Sequence, residues 1–440
     1  MPSHVNPASA REFAWWVVRK LRDAGHEALW AGGCVRDELL NVVPSDYDVA
    51  TSAKPNEVRE CFGHRRTLGI GAAFGVVQVR GRRDQGDVEV ATFRSDAGYS
   101  DGRHPDQVSF STAREDAKRR DFTMNGLFYD PLHDQVIDYV GGRDDLDAGI
   151  VRAIGDPYSR IAEDKLRMLR AVRFAVTFGF DIEPGTKAAV RSEAHGITMV
   201  SAERIATELR KMLVHPHRRR AAELLHDVRL LQVILPESGW LWAPRASVQA
   251  EARAGEELEP ANWENTLGIL EKLNQPTFRV ALAGLLWAVN ARARQADAVK
   301  SICERWKLTN HEKNGVIWML ERERMVRAAE SVPWPRLQRV LVAPGIDELL
   351  CLAEAIAIQI DGSPRQIELC RRKLELPPGT LNPPPLITGN DLRRAGFQAG
   401  PLFRRILQHV RAAQLEGRIA TPREALEMAA VVAKQGEEDE

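Results

Sequence analysis

From Asp156 onward, apolar residues recur at helical spacing in one segment after another, and this constrains the fold more than any other feature. "RIAEDKLRMLRAVRFAVTFGF", "SAERIATELRKMLV" and "RRRAAELLHDVRLLQVI" carry the period of amphipathic helices. "TLGILEKL", "FRVALAGLLWAVNARA", "KNGVIWMLERERM" and "IDELLCLAEAIAIQI" continue it. The residues before Val140 behave differently. "AREFAWWVVRKLRDAG" reads as a helix that stops at Gly25. "EALWAGG", "YDVAT", "GVVQVRG", "DVEVATF" and "DQVSF" are short β-rich runs separated by turn residues. The expected class is therefore α+β: a small mixed sheet with helices packed on it, followed by a mostly α-helical body. "LELPPGTLNPPPLITGN" breaks the helices with five prolines, and "GPLFRRILQHVRAAQLEGRIATPREALEMAAVVA" is a last helical stretch. A chain of 440 residues exceeds one ordinary core, so several domains are expected.

Composition is that of a soluble globular protein, 44% hydrophobic and 28% charged. Formal net charge is zero, so a nucleic-acid partner needs a local basic patch. The five cysteines are scattered, with no CxxC or Cys/His cluster, which argues against structural zinc and fits a reducing cytoplasm. The start, "MPSHVNPASAREFAWW", lacks a basic region followed by an apolar run. No apolar run approaches the roughly 20 residues that a membrane span needs.

Chemistry is concentrated around "PSDYDVAT", Pro44 to Thr51. Asp46 and Asp48 stand two apart in a run that reads as a strand, so they point the same way. Two carboxylates on one face repel unless a cation lies between them. A solvated edge strand is the bland reading, and a divalent-metal site the sharp one. Just upstream is "AGGCVRD". Gly32 and Gly33 let the backbone approach a ligand, and a helix begins there whose free N–H groups suit a triphosphate. Arg36 adds a permanent positive charge. A glycine turn for phosphates followed by Asp-x-Asp for Mg²⁺ meets two needs of nucleotidyl transfer.

"GGCVRDELL" and "SDYDVAT" together resemble the signature of the class II nucleotidyltransferases, the tRNA CCA-adding enzymes and bacterial poly(A) polymerases. "VEVATFR", "RRDFTMNGLFYDP", "RIAEDKLRMLRAVRF" and "SAERIATEL" follow in the family's order. The resemblance is detailed from about Ala28 to Leu230 and returns weakly from Leu386 to Met428. It implies a polymerase-beta-like catalytic head over 1–150, a helical neck that recognises nucleotide and RNA over 151–235, a helical body over 236–375 and a tRNA-binding tail over 376–440. It implies two Mg²⁺ ions on Asp46 and Asp48. Glu89 is the candidate third carboxylate, with an ordinary strand glutamate as its alternative. In "RRDFTMNGL", Arg119 and Arg120 form either a solvated basic patch or, by resemblance, a nucleotide contact at Arg120. Asn125 matches a position that binds ribose or phosphate, and Asp121 orients these groups. Phe122 and Leu127 read as core.

"EDKLRMLRAVRF" is the most informative helix. Asp164 and Arg167 are three apart and share a face, and Arg170 and Arg173 extend the row. A surface ion-pair stripe is the bland reading. Base recognition is the other. A carboxylate only accepts and a guanidinium only donates. Asp164 can accept from the exocyclic amine of cytosine or adenine, while Arg167 donates to the ring acceptors. Uracil and guanine place a carbonyl opposite Asp164. The pair thus accepts CTP and ATP and rejects UTP and GTP.

The resemblance further implies a tRNA 3′ end as acceptor, cytoplasmic location and no membrane partner. "TLGIGAAFGVVQV" and the acidic tail "GEEDE" resemble the tRNA-directed enzymes more than the poly(A) polymerases. The glycine-rich segment Ala91 to Phe110 suits a mobile loop, in which Arg94, Asp101 and Arg103 could help switch from CTP to ATP. Many relatives carry an HD phosphohydrolase module. Here Asn265 and Trp287–Ala288 stand where its histidine and His-Asp pair are expected, so no phosphatase site is expected. His215, His217 and Arg218 to Arg220, and "FRRILQHVRAAQLEGR", are candidate phosphate patches, with a solvated helix start as the alternative for the first. A-only addition, poly(A) synthesis and an inactive RNA-binding module remain alternatives, and oligomeric state is not readable.

Overall fold

The computed structural model describes residues 5–69, 75–97, 107–242, 262–293, 296–398 and 400–438. Asp101 and Arg103 lie outside them. The chain divides into two compact units, Met1–Pro236 and Glu237–Glu440.

In the first unit the strands are β1 (Ala28–Ala31), β2 (Asp48–Thr51), β3 (Thr67–Leu68), β4 (Val76–Arg80), β5 (Asp87–Thr92), β6 (Arg94–Ala97), β7 (Gln107–Phe110), β8 (Phe128–Asp130), β9 (Gln135–Ile137), β10 (Ile150–Val151) and β11 (Asp181–Ile182). One sheet runs in the order β3-β4-β5-β2-β1-β8-β9. Its centre is β2, and beside it runs β1, four apolar residues buried along their whole length. The β2–β5 pairing is parallel and sets Asp48 beside Glu89. The other pairings in this sheet are antiparallel. Strands β6 and β7 form a separate antiparallel hairpin, Arg94 opposite Phe110.

Helix α1 (Pro7–Asp23) starts under the Asn6 cap, whose side chain accepts from Ala8 and Ser9 N–H. Phe13, Val17 and Leu21 recur at helical spacing and are buried. Helices α2 (Gly33–Leu39) and α3 (Pro55–Phe62) follow β1 and β2, and α4 (Ala113–Lys118) follows the hairpin. Beyond α5 (Gly142–Asp147), the chain passes to α6 (Pro157–Glu163), α7 (Arg167–Phe178), α8 (Pro184–Glu193) and α9 (Ala202–Leu213). Two small joints fix these helices to the sheet side of the unit. Strands β10 and β11 pair in parallel, and Phe122 bridges to Ala153.

The second unit is helical, so the α+β expectation holds across the chain. Trp287 is fully buried on the helix Phe278–Ala293, and its indole N–H donates to Glu323 at 3.4 Å. Asn265 accepts from the Gln359 amide at 3.0 Å. Both positions are thus taken up by packing and hydrogen bonds. Among the described residues no three His, Cys, Asp or Glu side chains converge as a metal site. The last helical stretch is two helices, Pro401–Leu415 and Pro422–Glu438, packed around Ile406, Val410, Ala425 and Ala429. Gly417 breaks it with a φ of +72°. Among the described residues no helix is long and apolar enough to cross a membrane.

Candidate active site

Gly32 joins β1 to α2 with φ +74° and ψ −124°, a conformation that only glycine adopts without strain. A Cβ here would sit 2.7 Å from Nη1 of Arg120. That guanidinium cannot swing away freely, because Asp116 and the Asn125 carbonyl hold it. Gly32→Ala therefore strains the turn and displaces Arg120 together. The expected cost is about 2 kcal/mol, roughly 30-fold in kcat/KM for nucleotide addition. Steady-state kinetics at varied nucleotide would measure it, and an unchanged kcat/KM would remove Gly32 from the site.

The two aspartates are not both on a strand. β2 begins at Asp48, and Asp46 lies in the bend that follows Pro44. Alternation still holds locally. Tyr47 is buried on the other side, its hydroxyl donating to Glu38 at 2.8 Å, while Asp46 and Asp48 line one cavity. Burial raises the Asp48 carboxyl to about 7, the charges of Asp46 and Glu89 push the same way, and only Arg120 opposes them. Among the described residues no hydrogen-bond donor reaches that carboxylate. A hemmed-in carboxylate pressed by two others and lacking a donor is a place that a divalent cation fits. Glu89 contributes its field from the neighbouring strand, but its side chain is exposed and does not line the cavity.

The opposite wall is built from "REDAKRRDFTMN". Asp116 on α4 binds the guanidinium groups of both Arg119 and Arg120. Asp121 accepts from Nε of Arg170 at 2.7 Å and from the Asn125 amide at 2.9 Å. Burial alone would raise this carboxyl; the Arg170 charge and these hydrogen bonds outweigh it and hold it at about 2. Asn125 bridges onward, its Oδ1 accepting from Arg36 at 2.6 Å. Arg36 brings its positive charge to the site as a partnered group. It is buried, bound to Asp37 at 2.7 Å and laid over the Phe178 ring at 4.5 Å, because α2 turns it inward against α7.

The segment around Asp164 also differs from expectation. It is not helical: Asp164 sits at φ −147° and ψ 107° between α6 and α7. The shared helix face assumed for Asp164 and Arg167 therefore does not exist. What unites them is an Asx turn, in which Oδ1 of Asp164 accepts from Leu166 N–H at 3.0 Å. Asp164 and Arg167 line the same cavity, and Arg170 and Arg173 continue along α7. Two residues of "SAERIATEL" escaped the sequence reading. Arg204 donates to Oδ2 of Asp164 at 2.8 Å, and Glu208 accepts from Arg173 at 2.5 Å. Both lie on α9, and the motif itself was the available signal.

The cavity has a volume of about 570 Å³. Seven arginines and four aspartates line it: Arg36, Arg119, Arg120, Arg167, Arg170, Arg173 and Arg204 against Asp46, Asp48, Asp121 and Asp164. Gly32, Gly33 and Asn125 line it as well, and Glu89 does not. Such an excess of guanidinium suits a polyanion. The candidate patch at His215 to Arg220 is different. Arg218 is buried with its Nε on the Leu213 carbonyl, while Arg219 and Arg220 pair with Glu223 and Asp181.

Comparison with known proteins agrees with this geometry. Residues 28–152 match the poly A polymerase head domain, and residues 277–430 match tRNA nucleotidyltransferase domain 2. A CCA-adding enzyme of Levilactobacillus brevis is 32% identical over 94% of this chain and 96% of its own length. The chain belongs to the CCA-adding enzyme family. A second CCA-adding enzyme, from Lactobacillus helveticus, is 43% identical over 49% of this chain and 53% of that protein. The solved CCA-adding enzyme of Bacillus stearothermophilus, in complex with CTP, has a TM-score of 0.72 at 26% identity, over 97% of this chain and 98% of that one. The chain is thus a nucleotidyltransferase with a polymerase-beta-like head.

Proposed function

We propose that this enzyme completes the 3′ end of tRNA, adding C and A residues from CTP and ATP without a template and releasing pyrophosphate. The observation that carries the reading is the convergence of Asp46 and Asp48 with Asp164 and Arg167 on one arginine-rich cavity. Asp46 and Asp48 would hold two Mg²⁺ ions, which when bound lower the pKa of the primer 3′-hydroxyl and offset charge on the triphosphate.

The chain's own residues do the rest. Arg119, Arg120, Arg170 and Arg173 neutralise and orient the phosphates. Asp121 and Asn125 keep Arg170 and Arg36 in place. Asp164 has two hydrogen bonds from protein, to Leu166 N–H and Arg204, and a carboxylate has about four acceptor sites. It can still accept from the amine of cytosine or adenine. Nη1 and Nη2 of Arg167 are anchored on Arg160, Glu163 and Arg119, while its Nε–H remains to donate to a base. Uracil and guanine would oppose two acceptors, an unmet contact worth about 1–3 kcal/mol.

The test is incorporation on tRNA transcripts that end at the discriminator base, after C and after CC, with CTP, ATP or both in Mg²⁺. CCA addition followed by a stop supports the reading. Long A tails on any RNA would make the enzyme a poly(A) polymerase. A single A on the CC-ended transcript alone would make it an A-adding specialist.

A further inference from the structure

The two arginines at the cavity wall share one anion that does not itself line the cavity. Asp116 is 1% exposed on α4. Its Oδ1 accepts from Nε and Nη2 of Arg119 at 2.9 and 2.6 Å, and from the Arg94 backbone N–H at 3.3 Å. Its Oδ2 accepts from Nε and Nη2 of Arg120 at 3.2 and 2.9 Å. The arginines stand three and four residues beyond it, the two spacings that reach back to one helical position. Burial disfavours this charge, but Arg120 and Arg119 outweigh it and hold the carboxyl below the ordinary range.

We propose that Asp116 is a positioning residue for nucleotide binding, fixing Arg119 and Arg120 against the cavity wall. The inference rests on the functional reading above. Nη1 of Arg120 stays directed to the Asn125 carbonyl at 3.3 Å, beside Gly32. A free arginine loses rotamer entropy when it binds phosphate; a clamped one has already lost it. The contact also serves ground state and transition state alike, so its loss falls on affinity more than on turnover.

Asp116→Asn tests this. The amide cannot accept on both sides, so one arginine is released. The expected result is about a tenfold rise in the dissociation constants for CTP and ATP, measured by calorimetry in Ca²⁺, with a smaller change in kcat at saturating nucleotide. In an Arg119→Met/Arg120→Met background the same substitution should add little, because its effect runs through those side chains. An unchanged nucleotide affinity, or full additivity in that background, would overturn the inference while leaving the functional reading intact. Wild-type protein that bound neither nucleotide and extended no tRNA would overturn both. If Asp116→Asn lowers the melting temperature too far for titration, Asp116→Glu keeps the charge, displaces it by one methylene and must weaken affinity in the same direction.

Discussion

Asp48→Asn is expected to lower nucleotide addition by at least about 10³-fold and to make the metal-free protein more stable. The first effect follows from removing a charged ligand from the proposed cation site, whose stabilisation of transferring phosphate would be worth several kcal/mol. The second follows from the raised carboxyl of Asp48, at about 7 when folded against an ordinary value of 3.8. Between these values the folded protein holds a proton that the unfolded chain has released. Stability therefore falls as pH rises from about 4 to 7, and the full cost is present above 7. Asparagine removes that cost, which we set at about 2 kcal/mol after allowing for partial solvent access. In EDTA at pH 8 the variant should melt above wild type, and the gap should narrow as pH falls toward 4. Mg²⁺ should stabilise wild type and not the variant, since a ligand stabilises only the state that binds it. A variant that adds nucleotides normally, or that melts below wild type in EDTA, would remove Asp48 from the metal site.

How far the chain could be read in advance follows the range of the interactions involved. The turn at Gly32, the carboxylates flanking Tyr47 and the row Arg167, Arg170, Arg173 are local patterns, and each is visible as spacing. The break at Asp164 was not visible, because "RIAEDKLRMLRAVRF" has no proline or glycine and its apolar period runs on through it. The break is made by an Asx turn and by Arg204, which is distant in sequence. Asp116 and Glu208 were hidden for a related reason. A buried acid on a helix looks like a surface one until its partners are known. Glu89 depends on a contact that spacing does not show. Parallel pairing put it beside Asp48, yet its side chain stayed outside the cavity.

Asp164→Asn is expected to relax base selection more than it slows CTP addition. Asparagine still offers an oxygen to the Leu166 N–H, so the turn between α6 and α7 keeps its main hydrogen bond. Its amide adds what aspartate lacks, a donor. With the Nδ2 group facing the base, the O4 carbonyl of uracil and the O6 carbonyl of guanine become acceptable partners, while the amine of cytosine or adenine loses an acceptor. The unmet contact that rejected them, about 1–3 kcal/mol, is then relieved, and the kcat/KM ratios of CTP over UTP and ATP over GTP should fall roughly 10- to 100-fold. Arg204 loses its anion in the variant, which lowers activity with every nucleotide alike and leaves the ratios untouched. Competition assays with paired nucleotides on a tRNA ending at the discriminator base separate the two effects. Ratios equal to wild type, with activity reduced throughout, would mean that Asp164 only holds Arg204 and that base choice lies elsewhere on the cavity wall.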